Sequence, residues 1–234
     1  MEIEVKNLIK IYNKQRVLEI DNLFIEKGNI IGLVGNNGAG KTTFLRLMMD
    51  LIKSDAGIIL SRGKNISKTE SWKWYNSAYI DSGFLIDFLT PEEYFQFIAS
   101  NYNIPSTELD PILCNFLLFM NEEILGKHKY IRDYSIGNQQ KIGIIGAMLQ
   151  KPDILFLDEP FNYLDPSSQI EMKRLLQKYN ADFGTTVLLS SHNIQYVADI
   201  CNRIIILERG HIVRDEHNTT PAIKDELEQY FMKF

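Results

Sequence analysis

A chain of 234 residues, 45% of them hydrophobic, is long enough to bury a substantial core, so we expect a folded globular protein of one or two compact units. Its formal charge of -5 provides no general attraction for phosphate backbones, which argues against nucleic-acid binding as its main task. No run approaches the roughly 18 apolar residues that a membrane-spanning helix needs, so any membrane role is expected to depend on another polypeptide.

The N-terminal residues and the two cysteines both favour a cytosolic location. The opening stretch "MEIEVKNLIK" alternates charged and aliphatic side chains, which suits a strand and lacks the apolar core of a signal peptide. Cys114 and Cys201 lie in unrelated apolar stretches without a paired spacing. This arrangement predicts buried free thiols in a reducing compartment.

The first part of the chain predicts strands followed by a helix. Strands are expected at residues 2–12 and 16–28, and a continuously apolar strand is expected at 29–35. A helix is expected from about Lys41, and a short strand follows at 58–60. The buried side of that helix is predicted to consist of Phe44, Leu45, Leu47, Met48 and Leu51.

The middle of the chain predicts a helical insertion. Thr90, Pro91 and Glu93 form a strong helix start, with a capping threonine, a proline at the first helical position and a capping-box glutamate. The stretch from about 88 to 150 is mostly helical in pattern and rich in aromatic residues. We therefore expect a helical subdomain inserted into a core formed by about 1–87 and 151–234.

The last part alternates strands and helices. Short buried strands are expected in "DILFLDEP" and "TTVLLSSH", with a helix in "SSQIEMKRLLQKY" between them. Such alternation favours a parallel sheet with helices on both faces. A hairpin is expected around Arg209 and Gly210, and a final short helix near Pro221.

The octapeptide "GNNGAGKT" matches the P-loop pattern and lies between a predicted strand and a predicted helix. Its glycines let successive backbone amides turn towards phosphate oxygens, and the following helix adds its positive end. Lys41 is expected to reach the outer phosphates, and the Thr42 hydroxyl to bind Mg²⁺. The predicted ATP-binding residues here are Gly35, Asn36, Asn37, Gly38, Ala39, Gly40, Lys41, Thr42 and Thr43.

Two acids follow the apolar run of "ILFLDEP". Four apolar residues bring Asp158 and Glu159 to the C-terminal end of a buried strand, where ligands bind in open parallel sheets. Asp158 is the predicted second Mg²⁺ ligand, and Glu159 the predicted acceptor of a proton from the attacking water. A P-loop with acids of this kind also occurs in kinases and GTPases.

Further motifs in the same order resemble the nucleotide-binding subunit of an ABC transporter over nearly the whole chain. "YSIGNQQK" resembles the family signature "LSGGQ" with its extension, "FNYLDP" resembles the D-loop, and "SSH" resembles the switch histidine. The resemblance implies a single α/β ABC ATPase domain over 1–234. Its expected fold is a P-loop NTPase (RecA-like) core with an antiparallel β subdomain and an inserted α-helical subdomain.

The resemblance also assigns roles to individual residues. Tyr12 would offer an aromatic face to adenine, and His192 would contact the terminal phosphate while orienting water and Glu159. Asp165 would help to join two nucleotide sites across a dimer, although aspartate before proline is also a common turn. The signature residues expected to contact the partner's ATP are Ser135, Gly137 and Asn138.

Two departures from the family pattern affect these assignments. Ile136 stands where the signature has its first glycine, and Asn138 where it has its final glutamine. The glutamine that the family usually has between core and helical subdomain is missing from "YIDSGFL". Asp81 is its nearest equivalent and a candidate Mg²⁺ ligand, with Ser82 as a competing alignment.

The resemblance implies an ATPase that binds ATP and Mg²⁺, pairs with a second copy or a paralogue and powers a separate membrane-spanning permease. It would then lie in the cytoplasm, held at the inner face of the membrane by that permease, and its short chain is similar to exporter ATPases. Aromatic residues from Phe84 to Tyr102 are a candidate permease groove or an ordinary core. Alternatives are a soluble ABC ATPase acting as a regulatory or assembly factor, and a small-molecule P-loop kinase.

Overall fold

Two β-sheets form the framework of residues 2–217, the part of the chain that the computed structural model describes. A four-stranded sheet has the order β2-β1-β4-β5, and its paired strands are all antiparallel. A six-stranded sheet has the order β10-β9-β3-β8-β7-β6. The strands are β1 Ile3–Tyr12, β2 Gln15–Ile25, β3 Ile30–Val34, β4 Ala56–Ser61, β5 Lys64–Asn65, β6 Asn76–Tyr79, β7 Ile154–Leu157, β8 Thr186–Ser191, β9 Arg203–Glu208 and β10 His211–His217.

Neighbouring strands from β9 to β6 in the larger sheet run parallel, and β10 joins β9 antiparallel. Seven α-helices accompany the sheets within the described residues. They are α1 Lys41–Met48, α2 Pro91–Asn101, α3 Ser106–Leu113, α4 Leu117–Met120, α5 Ile136–Met148, α6 Pro166–Phe183 and α7 Ile194–Ala198. The predicted strands, the predicted helices and the hairpin around Arg209 and Gly210 are confirmed within residues 2–217. The α/β fold class is confirmed as well.

The larger sheet separates two apolar cores because successive side chains of a strand point to opposite faces. On β7, Ile154 and Phe156 pack with α1 and the four-stranded sheet, whereas Leu155 and Leu157 pack with α5 and α6. All four side chains are buried. Buried on both faces, β7 reads in sequence as a continuous apolar run.

The stretch from 88 to 150 contains four helices, beginning with the predicted capping box of Thr90 and Glu93. Its last helix, α5, is buried on most sides and shares an apolar core with the larger sheet. The subdomain boundaries near 88 and 150 stay a prediction.

Two burial predictions are wrong. Leu51 lies beyond the end of α1 and is 45% exposed, because the helix stops at Met48. Cys114 is exposed, since it lies in a single 3-10 turn between α3 and α4 rather than in a buried run. Cys201 is buried as predicted, and the helix predicted near Pro221 lies outside the described residues.

Candidate functional site

The predicted site residues follow four neighbouring strands of the larger sheet. The P-loop follows β3, Ser191 ends β8 just before His192, Asp158 and Glu159 follow β7, and Asp81 comes shortly after β6. These strands are parallel, so their carboxyl ends lie along one edge. Topology therefore brings together motifs that lie up to about 150 residues apart in sequence.

The P-loop turns tightly between β3 and α1. Gly38 and Gly40 have φ values of +82° and +105°, which side chains other than glycine rarely adopt. The Lys41 side chain is only 6% exposed and curls back over the loop. Its Nζ donates to the carbonyl oxygen of Gly35 at 2.6 Å and lies 3.2 Å from Oε1 of Glu159. The loop thus holds a buried cation close to a carboxylate.

Thr42 and Asp158 provide oxygen atoms at the same point. Thr42 Oγ1 donates to Asp158 Oδ2 at 2.5 Å, and the Ser190 hydroxyl donates to Oδ1 of the same carboxylate. Burial raises the pKa of Asp158, and the hydrogen bonds from Ser190 and Thr42 oppose that rise. A hydroxyl beside a carboxylate is a donor set that fits Mg²⁺, which prefers few protein oxygens together with phosphate oxygens.

Glu159 is held in a left-handed backbone conformation, with φ of 48°. Such a conformation costs about 1–3 kcal/mol for a residue with a side chain and persists only where its surroundings enforce it. Its N–H donates to Ser190 Oγ at 2.9 Å, and its Oε2 accepts from the backbone N–H of His192 at 3.2 Å. The same Oε2 lies 2.9 Å from Nδ1 of His192. The carboxylate therefore lies between Lys41 and His192.

The signature stretch begins α5. Ser135 is its N-cap and accepts a hydrogen bond from the N–H of Asn138 at 3.2 Å, while Ile136 is 59% exposed. A Cβ on Gly137 would lie 2.4 Å from the carbonyl oxygen of Tyr163. Gly137 therefore permits close contact with the D-loop stretch of its own chain.

Asp165 caps α6 from the D-loop stretch. Its carboxylate accepts bonds from the backbone N–H groups and the hydroxyls of Ser167 and Ser168. These hydrogen bonds hold the pKa of Asp165 well below its usual range. Lys141, buried on α5, lies 3.7 Å from the same carboxylate. The carboxylate is thus an N-cap within its own chain.

Asp81 pairs with an arginine on the helix of the P-loop. Its Oδ2 accepts from Arg46 Nη2 at 3.0 Å, and its Oδ1 accepts from the N–H of Gly83. Arg46 lies four residues after Thr42, on the same side of α1. Both carboxylate oxygens of Asp81 thus have protein partners. One of these partners, Arg46, lies one helical turn after Thr42 on α1.

Within residues 2–217, no side-chain hydrogen bond joins Tyr12, Thr43 or Asn138 to Lys41, Thr42, Asp158, Glu159 or His192. Tyr12 ends β1, is 44% exposed and has Lys10 Nζ 5.0 Å from its ring centre. Thr43 is half-buried in the first turn of α1, and Asn138 is half-buried in the first turn of α5.

Three contacting residues were missed in the sequence: Ser190, Arg46 and Gln140. Ser190 is the first residue of the "SSH" motif and lies next to the last residue of the buried strand β8, which is a usable signal. Arg46 carries no comparable signal, because it makes its contact across a long sequence separation. Gln140 lies in the "YSIGNQQK" stretch, but its partner in the segment after β7 is not encoded there.

A groove lies along β6, the edge strand of the larger sheet. It has a volume of about 390 Å³ and includes Leu51, Tyr79, Phe84, Tyr94 and Tyr102 in its lining. Phe84 and the neighbouring Trp74 are largely exposed, whereas Tyr94 is buried. Aromatic residues of the predicted groove therefore divide between an open surface and a packed core.

Similarity to known proteins was found by sequence and by structure. A family model described as ABC transporter matches residues 18–162. The bacitracin transport ATP-binding protein BcrA of Enterococcus faecalis is 33% identical over 224 residues, which cover 91% of this chain and 68% of that protein. A solved ATP-binding subunit of an ABC transporter has a TM-score of 0.84 at 27% identity, covering 98% of this chain and 93% of that one.

A dimeric ATP-binding cassette solved in a post-hydrolysis state with ADP and Pi has a TM-score of 0.82 at 24% identity. The match covers 93% of this chain and 99% of that one, and it supports the fold. Within residues 2–217, no helix is both long enough and apolar enough to cross a membrane.

Proposed function

This chain belongs to the ABC transporter family as an ATP-binding, ATP-hydrolysing subunit, and we propose that it pairs with a second copy or a paralogue around two MgATP molecules to drive a separate membrane permease. The observation that carries the proposal is the joint arrangement of Lys41, Thr42, Asp158, Glu159 and His192 at one sheet edge. The permease would hold the chain at the cytoplasmic face of the membrane.

In this proposal the P-loop amides and Lys41 bind the phosphates and stabilise the charge that develops as the terminal phosphate is transferred. Thr42 and Asp158 hold Mg²⁺, with Asp81 as a further candidate only if it leaves Arg46. Bound Mg²⁺ would neutralise charge on the phosphate oxygens. Tyr12 offers its exposed ring to adenine.

Glu159 and His192 are proposed to act on the attacking water. Glu159 accepts its proton, and the contact of 2.9 Å between Oε2 and Nδ1 supports a role for His192 in orienting that carboxylate. The left-handed backbone of Glu159 supports the same assignment, since strained residues concentrate at functional sites.

The partner's ATP is proposed to lie against the first turn of α5. Ser135 offers its hydroxyl proton there, Gly137 its backbone N–H and Asn138 its side-chain amide, and the helix adds its positive end. Ile136 is exposed at this same turn, which supports a surface that a second molecule covers.

The groove lined by Phe84 and Tyr102 is proposed to receive a helix of the permease. Its exposed aromatic side chains support contact with an apolar partner surface. We propose export as the direction, with an antibiotic peptide as the class of cargo, on the similarity to BcrA of Enterococcus faecalis, whose name gives bacitracin transport.

Isolation of the tagged chain from detergent-solubilised membranes of its source cells tests this proposal. A multispanning protein is expected to co-purify, and Phe84→Glu is expected to release it. Ile170→Glu is the matched control, because Ile170 is a similarly exposed apolar residue on α6 outside the groove lining. Recovery with soluble partners alone would contradict the proposal.

A further inference from the structure

Glu159 has contacts from Gln140, a residue of the "YSIGNQQK" stretch to which the family resemblance gave no role. The Gln140 side chain is 5% exposed and lies under the segment that follows β7. Its Nε2 donates to the carbonyl oxygen of Pro160 at 2.7 Å and to that of Glu159 at 3.3 Å. One buried amide group therefore binds two successive backbone carbonyls, those of Glu159 and Pro160.

The contact belongs to one face of α5. Gly137, Gln140 and Lys141 are spaced three and four residues apart, so they lie on the same side of the helix. Gly137 meets the carbonyl of Tyr163, and Lys141 lies near the carboxylate of Asp165. This face therefore follows the segment from 159 to 165 along its length.

Two residues of that segment have left-handed backbones, Glu159 with φ of 48° and Tyr163 with φ of 58°. α5 contacts both of them, through Gln140 and Gly137. At Glu159 the N–H is fixed by Ser190 and the carbonyl by Gln140, so the backbone is anchored on either side of the Cα atom. Those anchors fix the direction in which the Cα–Cβ bond of Glu159 leaves the backbone.

We propose that Gln140 is a positioning residue for ATP hydrolysis, which holds the backbone of Glu159 so that its carboxylate stays between Lys41 and His192. The inference rests on the proposed role of Glu159 as the base. Gln140 does not touch the reacting atoms, and its effect is exerted through the peptide that it binds. It also ties Glu159 to the helix whose first turn carries Ser135.

Gln140→Met tests the proposal, because methionine keeps the side-chain volume and loses both hydrogen bonds. We expect kcat for ATP hydrolysis to fall about 10- to 100-fold, since small misplacements of reacting groups have effects of this size. KM and the equilibrium affinity for ATP should stay within about twofold, because the interactions that bind ATP equally in the ground state and the transition state are unaffected. The measurement is steady-state hydrolysis over a range of ATP concentrations, at a protein concentration high enough for pairing to be complete. Nucleotide binding is measured separately.

Asn180→Leu is the matched control for stability. The Asn180 amide likewise donates to two backbone carbonyls, those of Gly28 and Thr185, outside the site. Its loss should lower the melting temperature by a similar amount and leave kcat unchanged. Equal losses of kcat in Gln140→Met and Asn180→Leu would overturn the positioning role, because the effect would follow stability.

Gln140→Glu supplies a readout that a packing role would not move. A neutral carboxylic acid at position 140 can donate one hydrogen bond to the carbonyls, whereas a carboxylate cannot. Burial would raise the pKa of that acid, so kcat relative to the original protein should increase from pH 9 to pH 6. The charged neighbours Lys141, Glu159 and Asp165 are the same in Gln140→Met, Gln140→Glu and the original protein, so their titration cancels in the ratio of kcat values. The kcat ratio of Gln140→Met to the original protein should therefore not change with pH.

Glu159→Gln, measured in parallel, separates the two proposals. Unchanged hydrolysis in Glu159→Gln would show that Glu159 is not the base and would overturn the inference with it. Loss of hydrolysis in Glu159→Gln with normal kcat in Gln140→Met would overturn the positioning role alone. A reduced kcat in both, with a pH-dependent ratio for Gln140→Glu, supports it.

Discussion

The P-loop side and the signature side of this chain differ in how far each is completed by its own residues. At the P-loop, Lys41 is bound by a carbonyl and a carboxylate, and Asp158 accepts from two hydroxyls. At the signature, Ser135 caps its own helix and Ile136 is exposed. On the P-loop side the charged side chains are bonded to one another, whereas the signature side is a helix end at the surface. This difference fits a site assembled from two molecules.

The largest expected effect comes from the P-loop side. Glu159→Gln keeps the shape of the side chain and most hydrogen bonds but removes the base, so we expect turnover to fall about 10²- to 10⁴-fold. ATP affinity should be retained, because Lys41 and the P-loop are unchanged. Glu70→Gln, at a highly exposed glutamate paired with Lys73, is the control and should hydrolyse ATP normally. Steady-state phosphate release measures both variants.

On the signature side we expect loss of association rather than loss of binding. Ser135→Arg places a large cation at the first turn of α5, and we expect it to prevent ATP-driven pairing while each single chain still binds ATP. Light scattering with and without ATP, in the Glu159→Gln background that slows turnover, gives the oligomeric state. Ser67→Arg, on an exposed loop, is the control and should pair normally. Intact pairing of Ser135→Arg would reject the two-chain site.

Sequence patterns predicted where the residues of the P-loop side come together, because each motif is contiguous and directly follows an unambiguous strand. The glycines of the loop, Lys41, Asp158 and Glu159 each follow a buried strand, and the parallel sheet then brings them to one edge. What the pattern omitted are contacts between distant segments, such as Gln140 with Pro160 and Ser190 with Asp158. Such pairs depend on how helices pack and on which strands are paired, which no local spacing encodes.

The same limit explains the wrong prediction for Leu51. This residue fits the helical spacing of α1, but the chain leaves the helix after Met48 and exposes it. The Mg²⁺ role of Asp81, taken from a family position, stays a prediction, and the structure pairs this carboxylate with Arg46. The contact of Gly137 with phosphate also stays a prediction, and within its own chain the glycine lies against the carbonyl of Tyr163.

Gly137→Ala tests whether the signature glycine serves the fold of its own chain. The added Cβ would lie 2.4 Å from the Tyr163 carbonyl oxygen, so the D-loop must shift. Overpacking of this kind costs about 1–3 kcal/mol, which for a chain of this length corresponds to a melting-temperature loss of several degrees. Ile136→Ala, at the adjacent exposed position, should change the melting temperature little. Equal melting of Gly137→Ala and the original chain without ATP would contradict the contact.

The smallest expected effect concerns Asp165, which caps α6 and lies near Lys141 of α5. Its folded pKa lies below the ordinary value of 3.8, so its ionised form stabilises the folded chain at pH values above that value. The contribution is lost as the pH falls through the folded pKa. Because the carboxylate is half-exposed and acts mainly at a helix N-terminus, we expect only about 0.5 kcal/mol from its charge.

Asp165→Asn retains a capping oxygen and removes that charge, so without ATP it should melt roughly 1–2 °C lower than the original chain near pH 7. The difference should shrink below about pH 4, where the unfolded carboxylate becomes protonated. Thermal denaturation across this range measures it. A difference that is independent of pH would show that the charge of Asp165 does not stabilise α6. A loss of ATP-driven pairing beyond this small change in stability would instead assign Asp165 a direct contact with the second molecule.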